Sequence, residues 1–143
     1  MKLRRVMPDP VISPETQAFW DAAAEGRFLV RRCSSCNKVH WYPRTMCPFC
    51  SSLETAWEPG AGTGTIYTYS VMRRAKELFV MAYVSLSEGP QMMTNIVDCD
   101  PDALRVGDPV ELVFVPSENG FAVPCFRPAQ LNASAGAQKS GVQ

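Results

Sequence analysis

Residues 33–50 read CSSCNKVHWYPRTMCPFC, which sets Cys33-x2-Cys36 ten residues ahead of Cys47-x2-Cys50. A Cys-x-x-Cys segment can turn both of its sulfurs toward one point. Two such segments make a tetrahedral four-thiolate cage suited to Zn²⁺ or, less often, Fe. The gap is shorter than the usual ribbon spacing of roughly 15–20 residues, yet it leaves room for two knuckles. A cage closed by four sulfurs has no open coordination position, so its metal staples a small module and does not activate water. Two disulfides, or free thiols, are the alternatives. The residue after each pair needs a positive φ, which Asn tolerates better than most. Asn37 therefore suits the first knuckle, whereas Ser51 suits the second less well and is expected to distort it. His40, the only histidine, lies between the pairs. With four sulfurs supplied, it is expected on the surface of the ribbon hairpin.

Thiolate sites persist where thiols stay reduced, which points to the cytoplasm. Residues 1–7 are basic but run into Pro8-Asp9-Pro10 without the apolar stretch of a secretory signal. No run approaches the roughly 18 apolar residues of a membrane span, so a soluble protein is expected. A length of 143 residues, 46% apolar and 20% charged, supports one modest core plus a metal-stapled module. The 14 basic and 14 acidic residues cancel but are unevenly spread. Arg27, Arg31, Arg32, Lys38 and Arg44 stand in a stretch without acids, whereas Asp98 to Glu118 is acidic apart from Arg105. The basic end suits an anionic ligand or partner, and the acidic stretch argues against a chain-wide polyanion groove.

Residues 1–12 read as an extended, proline-bearing arm. A helix is predicted from Ser13, with Ser13 as N-cap and Pro14 at the first position, to about Glu25, with Gly26 as the stop. Phe19 and Trp20 point about 100° apart on that helix. They are therefore not expected to share a pocket: one docks on its own domain while the other meets a partner, or both pack inside. Arg27–Arg32 reads as a short strand entering the first knuckle. Residues 51–64, with Pro59, Gly60, Gly62 and Gly64, read as a linker. Five strands follow, at 65–72, 79–86, 91–97, 109–115 and about 121–126. They are too few for a sandwich and suit a small closed or partly open barrel of OB type. In the second strand Val80, Ala82, Val84 and Leu86 share one face and Phe79, Met81 and Tyr83 the other. Adjacent Met92 and Met93 face opposite sides, one filling the barrel and one outside it. The fold class is thus mainly β, a helix and metal ribbon leading into a five-stranded barrel. Residues 129–143 hold little apolar bulk and are expected to be disordered.

An ordered set of residues now carries a resemblance. It comprises Phe19-Trp20, Gly26-x-Phe28-Leu29, the Cys33 knuckle, Pro43-Arg44, Cys47-Pro48-x-Cys50, Trp57, Gly62-x-Gly64-Thr65-Ile66-Tyr67, Gly89-Pro90, Gly107-x-Pro109-Val110 and Phe126-Arg127-Pro128. The chain resembles the DUF35 family over about residues 8–130. It departs where Asn37 and Ser51 replace the family's usual glycines, and in a short segment between Val71 and Leu78. The resemblance implies an N-terminal arm and helix (1–26), a rubredoxin-like zinc ribbon (27–56), an acyl-CoA-associated OB-fold (57–128) and a tail (129–143). It also implies an accessory subunit of a thiolase-like condensing or retro-aldol enzyme, or of a MaoC-type hydratase. Cys33, Cys36, Cys47 and Cys50 would then ligate structural Zn, and Phe19 and Trp20 would meet the partner.

The residues agree that the chain does little chemistry alone. Acid–base and nucleophilic catalysis most often draw on His, and His40 sits within the metal module. Cys99 and Cys125 read as small buried apolar residues. Asp98, Asp100 and Asp102 read as a solvated turn. The phosphates of acyl-CoA favour Arg and Lys. The candidates are Arg31, Arg32, Lys38 and Arg44 on the ribbon and Arg73, Arg74 and Lys76 between the first barrel strands. These two clusters are expected to converge at the ribbon–barrel junction. The rival reading is a single-stranded nucleic-acid binder stacking bases on Tyr67, Tyr69, Tyr83 and Phe79. The zero net charge argues against it. An Fe-bearing redox ribbon is a third reading.

Overall fold

The computed structural model describes residues 3–130. One helix, α1 (Gln17–Ala24), precedes β1 (Leu29–Cys33), β2 (Val39–His40) and β3 (Thr55–Pro59), and then β4 (Thr63–Met72), β5 (Phe79–Leu86) and β6 (Gln91–Ile96). A 3₁₀ turn at Pro101–Ala103 leads to β7 (Pro109–Pro116) and β8 (Ala122–Pro128). The first three strands form an antiparallel sheet in the order β2-β1-β3, and the last five close a barrel in the order β4-β5-β6-β8-β7. This is the mainly β class expected, with the barrel fully closed.

The helix starts later than predicted. Ser13 N–H donates to Thr16 Oγ1 (3.1 Å) and Thr16 N–H donates to Ser13 O (3.0 Å), so residues 13–16 close a separate turn. Thr16 O accepts the first helical bond, from Trp20 N–H. Gly26, at φ 79°, ends the helix as expected. The supposed linker is a second correction, because its residues 55–59 form β3, paired with β1 from Leu29↔Pro59 to Cys33↔Thr55. β3 buries no residue fully, so it lacks the apolar alternation by which a strand is read. It is held by its backbone ladder, and Pro59 is tolerated at the end of an edge strand.

The barrel follows its sequence closely. Val80, Ala82, Val84 and Leu86 are buried, Met81 and Tyr83 face out, and Met92 is buried while Met93 is 55% exposed. A Cβ at Gly64 would collide with the Ser85 carbonyl, so β4 can approach β5 only with glycine there. The inner residues join Phe19, Phe28, Val30 and Val39 in one apolar cluster that fastens helix and ribbon to the barrel. The N-terminal arm is docked. Met7 joins a second cluster with Val97, Val115 and Cys125, Arg4 grips both oxygens of Asp98 (2.9 and 2.7 Å), and Asp9 accepts from Ser117 Oγ and Asn119 N–H. The aspartates after β6 have structural partners as well. Asp100 accepts from Asp102 N–H (3.0 Å), Asp102 pairs with Arg73 (2.7 Å), and Asp108 accepts from Arg105 N–H (2.9 Å). The expected disordered tail lies, from residue 131 on, outside the described residues.

Candidate metal centre and an apolar groove

The end of β1 supplies Cys33, the turn after it Cys36, and the loop before β3 supplies Cys47 and Cys50. Their four sulfurs lie within 4.8 Å of one another. Cys33 Sγ is 3.6 Å from Cys50 Sγ, and Cys36 Sγ is 3.6 Å from Cys47 Sγ. These gaps are far longer than the S–S bond of about 2.05 Å. They are close to the roughly 3.8 Å that a tetrahedron of about 2.3 Å Zn–S bonds requires. The two knuckles match: Asn37 has φ 62° and Ser51 φ 66°, and Cys33 N–H bonds Lys38 O as Cys47 N–H bonds Ser52 O, each at 2.9 Å. Ser51 thus adopts the left-handed turn without the expected distortion, its N–H bonded to Cys47 O (2.9 Å).

The electrostatics favour a dication at the centre of the four sulfurs. The Cys36 backbone N–H, with smaller help from Ser35 N–H and the neighbouring sulfurs, draws the Cys33 thiol down to about 6. Ser52 N–H acts the same way on Cys50, but burial and the three facing sulfurs outweigh it and push Cys50 up to about 12. Four adjacent thiols therefore do not all ionise unaided, and a bound Zn²⁺ would remove that repulsion. The donor set fits structural zinc.

His40 departs from expectation, being only 2% exposed. Its Nε2 lies 3.0 Å from Arg44 O and 3.3 Å from Arg44 N, and Nδ1 is buried without a hydrogen-bond partner. The segment after β2 folds back over it and is tied to the N-terminal region by Glu15, which accepts from Thr45 N–H (2.7 Å). That long-range closure is invisible in a local hairpin pattern.

The basic residues do not converge. Arg32, paired with Glu58 (3.0 Å), and Lys38 line a crevice of about 360 Å³ against Glu88-Gly89-Pro90, the turn after β5. Arg73, Arg74 and Lys76 precede β5, and Arg73 pairs with Asp102. The eight residues of β5 put roughly 23 Å between the two groups. Arg31 stacks on Trp57 (4.8 Å) and donates from Nε to Thr55 Oγ1 (3.1 Å), while Arg44 is exposed. The aromatic residues of the rival reading also serve separate ends. Tyr69 Oη donates to Leu104 O (2.8 Å) and Phe79 lies under the Arg5 guanidinium (3.8 Å), while Tyr67 and Tyr83 are exposed.

Phe19 and Trp20 behave as a pair with two duties. Phe19 is fully buried, and its ring meets those of Trp20 and Trp41 edge-on, each at 5.0 Å. Contrary to expectation, therefore, the two rings touch. Trp20 Nε1 donates to Tyr42 Oη (3.1 Å), and both side chains wall a groove of about 520 Å³ against the outer face of β5 and β6, where Met81, Tyr83 and Met93 stand. Arg5 lines the same groove. Sequence reasoning missed the groove because it joins the arm, α1, the ribbon and the barrel, and no local motif announces it. The unmatched Met pair at 92–93 was the nearest signal.

Comparison with known proteins follows the same division. Residues 20–56 match the family model "ChsH2, rubredoxin-like zinc ribbon domain", and residues 57–115 match "ChsH2, C-terminal OB-fold domain". The chain is 33% identical over 133 residues to a probable enoyl-CoA hydratase alpha subunit of Thermomonospora curvata, covering 90% of this chain and 42% of that protein. It thus spans less than half of that relative. It is 38% identical over 90 residues to a DUF35 domain-containing scaffold protein of Methanothermobacter thermautotrophicus, covering 58% of this chain and 68% of that protein. A chain of a solved structure described as an Ltp2-ChsH2(DUF35) aldolase is similar at TM-score 0.74 and 31% identity, covering 85% of this chain and 100% of that one.

Proposed function

The chain belongs to the DUF35 family of zinc-ribbon and OB-fold proteins, and from that premise we propose that it is a non-catalytic accessory subunit of a thiolase-like condensing or retro-aldol enzyme. In that role it docks on the enzyme and helps to hold acyl-CoA. The observation that carries the reading is the likeness to the whole length of a ChsH2(DUF35) chain from an aldolase structure. The relatives named as scaffold proteins and as a hydratase subunit support association with an enzyme, the second keeping a MaoC-type hydratase in view.

The chemistry of the chain supports a supporting role. A metal held by Cys33, Cys36, Cys47 and Cys50 is closed to substrate. His40 is buried. Burial raises the Cys99 thiol to about 11 and the Cys125 thiol to about 12, the reverse of what a nucleophile needs. With Phe19 committed to the core, Trp20 and Tyr42 carry the partner contact assigned to the helix. For the phosphates of CoA, Arg44, Arg74 and Lys76 are exposed and stand outside every described ion pair, whereas Arg32 and Arg73 are already paired.

The test is co-expression with the thiolase-like protein encoded nearest to this chain, followed by size-exclusion chromatography. The expected result is a single complex containing both chains and zinc. Separate elution at micromolar concentrations overturns the docking reading. If the complex forms, Arg74→Glu with Lys76→Glu is expected to lower its acyl-CoA retention, and unchanged retention removes those two residues from the ligand site.

A further inference from the structure

The groove runs along a strand edge. Consecutive residues of β6, from Gln91 to Asn95, line it, although their side chains alternate between the two sides of the sheet. A strand shows consecutive residues to one hollow where its backbone edge is open. The ladder to β5 tells which groups that edge offers. Leu86 N–H donates to Pro90 O (2.9 Å) at the turn, and the register runs unbroken from Ser85↔Gln91 to Val80↔Ile96. Hydrogen-bonded pairs alternate along an antiparallel ladder, so Met92, Thr94 and Ile96 turn their backbone N–H and C=O toward β5. Gln91, Met93 and Asn95 turn theirs the other way, toward β8.

β8 takes up only the end of this edge. Among the described residues its one register pair with β6 is Ile96↔Phe126, followed by the bond from Val97 N–H to Phe126 O (2.8 Å). Two residues earlier a parallel ladder would need an N–H from Pro124, which has none. A side chain stands in there, Thr94 Oγ1 donating to Pro124 O (3.2 Å). The backbone groups of Gln91 and Met93 therefore face a groove of about 520 Å³ instead of a strand. An unpaired edge is a template for another chain. The run from Gln91 to Asn95 is about 13 Å long, enough for about four extended residues.

The surroundings fix what kind of chain fits. Arg5 stands at the Asn95 end, its Nε donating to Asn95 Oδ1 (3.1 Å) and its guanidinium 3.8 Å from the centre of the Phe79 ring. Among the described residues no carboxylate forms an ion pair with Arg5, and a guanidinium held in this way favours one. Trp20 and Tyr42, already given to the partner, wall the same groove. Residues 131–143 of this chain contain no acid to offer Arg5.

We propose that an extended segment of the docked enzyme adds to β6 here, exchanging backbone hydrogen bonds with Gln91 and Met93 and setting an Asp or Glu on Arg5. This pairing presupposes the docking role and gives it a mode. The partner is recognised by main chain along β6, with Trp20 and Tyr42 packed beside the added strand.

The test is residue-resolved amide exchange on the zinc-loaded full chain, free and in its co-purified complex with the thiolase-like enzyme. The amides of Gln91 and Met93 are expected to slow by more than about tenfold in the complex, while those of Met92 and Thr94, already bonded to β5, change little. Covering the face without strand pairing does not produce that alternation. Met93→Pro removes an outward N–H and no bond to β5, so it is expected to weaken the complex about tenfold, whereas Met93→Leu leaves it unchanged. Arg5→Gln is expected to weaken it about tenfold as well, the scale of one charge-assisted contact. A complex in which Gln91 and Met93 exchange at their free rates overturns strand addition and leaves docking intact, and so does native affinity in Met93→Pro. Slow exchange of these amides in the free chain, made fast by deleting residues 131–143, gives the slot to the chain's own tail and overturns the proposal too. Should Met93→Pro fail to fold, the exchange pattern of the unmodified complex decides alone. If no complex forms, the docking reading falls and strand addition with it.

Discussion

The ribbon and the barrel are both antiparallel β structures for most of their length, and they are held in opposite ways. The ribbon's strands are five, two and five residues long, and two of its four sulfur donors, Cys33 and Cys47, are buried. Val30 and Val39 are its main buried apolar strand residues. The barrel's strands run from six to ten residues and bury Ile66, Val80, Val84, Met92, Ile96, Val110 and Phe126. A strand long enough to place three or four side chains inside needs no other fastening, whereas a two-residue strand does. A continuous apolar cluster nevertheless crosses the boundary through Phe19, Phe28 and Val30. The contrast therefore raises the question of how far the ribbon depends on its metal and how far on the barrel.

Removing the metal should have the largest effect. Structural zinc supplies an apparent ~10–16 kcal/mol in zinc-finger peptides at neutral pH, as much as the whole stability of a typical domain, about 5–15 kcal/mol. Chelation, or Cys47→Ala, is expected to abolish amide-exchange protection in β1, β2 and β3. β4 to β8 should stay protected, because none of their residues belongs to the four-sulfur cluster. Simultaneous loss of protection in both regions would show that the shared apolar cluster makes them one cooperative unit.

The same contrast explains what could be read from sequence. Barrel strands were legible because period-two burial is a local property: β5 runs from Phe79 to Leu86, as its alternation indicates. The four sulfurs were legible because each pair brings its two together through a local turn. β3 was not, because Thr55–Pro59 earns its place through a ladder to β1 and buries no residue fully, with only Trp57 packed against the main apolar cluster. His40 was misplaced for a similar reason, since its cover comes from the segment after β2 that Glu15 ties down from outside the ribbon. Ser13 and Pro14 carry helix-start signals but spend them on a turn that Thr16 closes. The groove, assembled from four separate elements, left no more trace in the sequence than the adjacent Met92 and Met93.

A core truncation in the barrel sharpens the comparison from the other side. Phe126 is fully buried at the seam where β6 meets β8 in parallel, opposite Ile96, and its carbonyl accepts from Val97 N–H (2.8 Å). Phe126→Ala is expected to cost about 3–5 kcal/mol in denaturant unfolding. The variant should still bind one zinc per chain, because the four ligands sit in the other region. A loss below about 1 kcal/mol would mean that the seam refills the cavity, which the rigidity of packed interiors opposes. Loss of zinc along with the barrel would show that the ribbon cannot form alone.

The smallest effect is expected at His40, where the two kinds of support meet. Burial, assisted by the charges of Arg31 and Arg44, holds its proton affinity below the ordinary histidine value, against the opposing pull of the Arg44 carbonyl and Glu15. The ring is therefore neutral in the fold, whereas in the unfolded chain it gains a proton as the pH falls through about 6.5. Below that pH the unfolded state binds more protons, so the neutral ring's contribution is complete above about 6.5 and is lost as the solution is acidified. The zinc thiolates lose stability in the same direction, so the histidine must be read by difference. His40→Gln keeps an acceptor for Arg44 N–H but cannot titrate. At saturating zinc it should lose less stability than the native chain between pH 7 and pH 5.5. Parallel curves would mean that His40 takes up protons equally in the folded and the unfolded chain, so that burial does not hold the ring neutral.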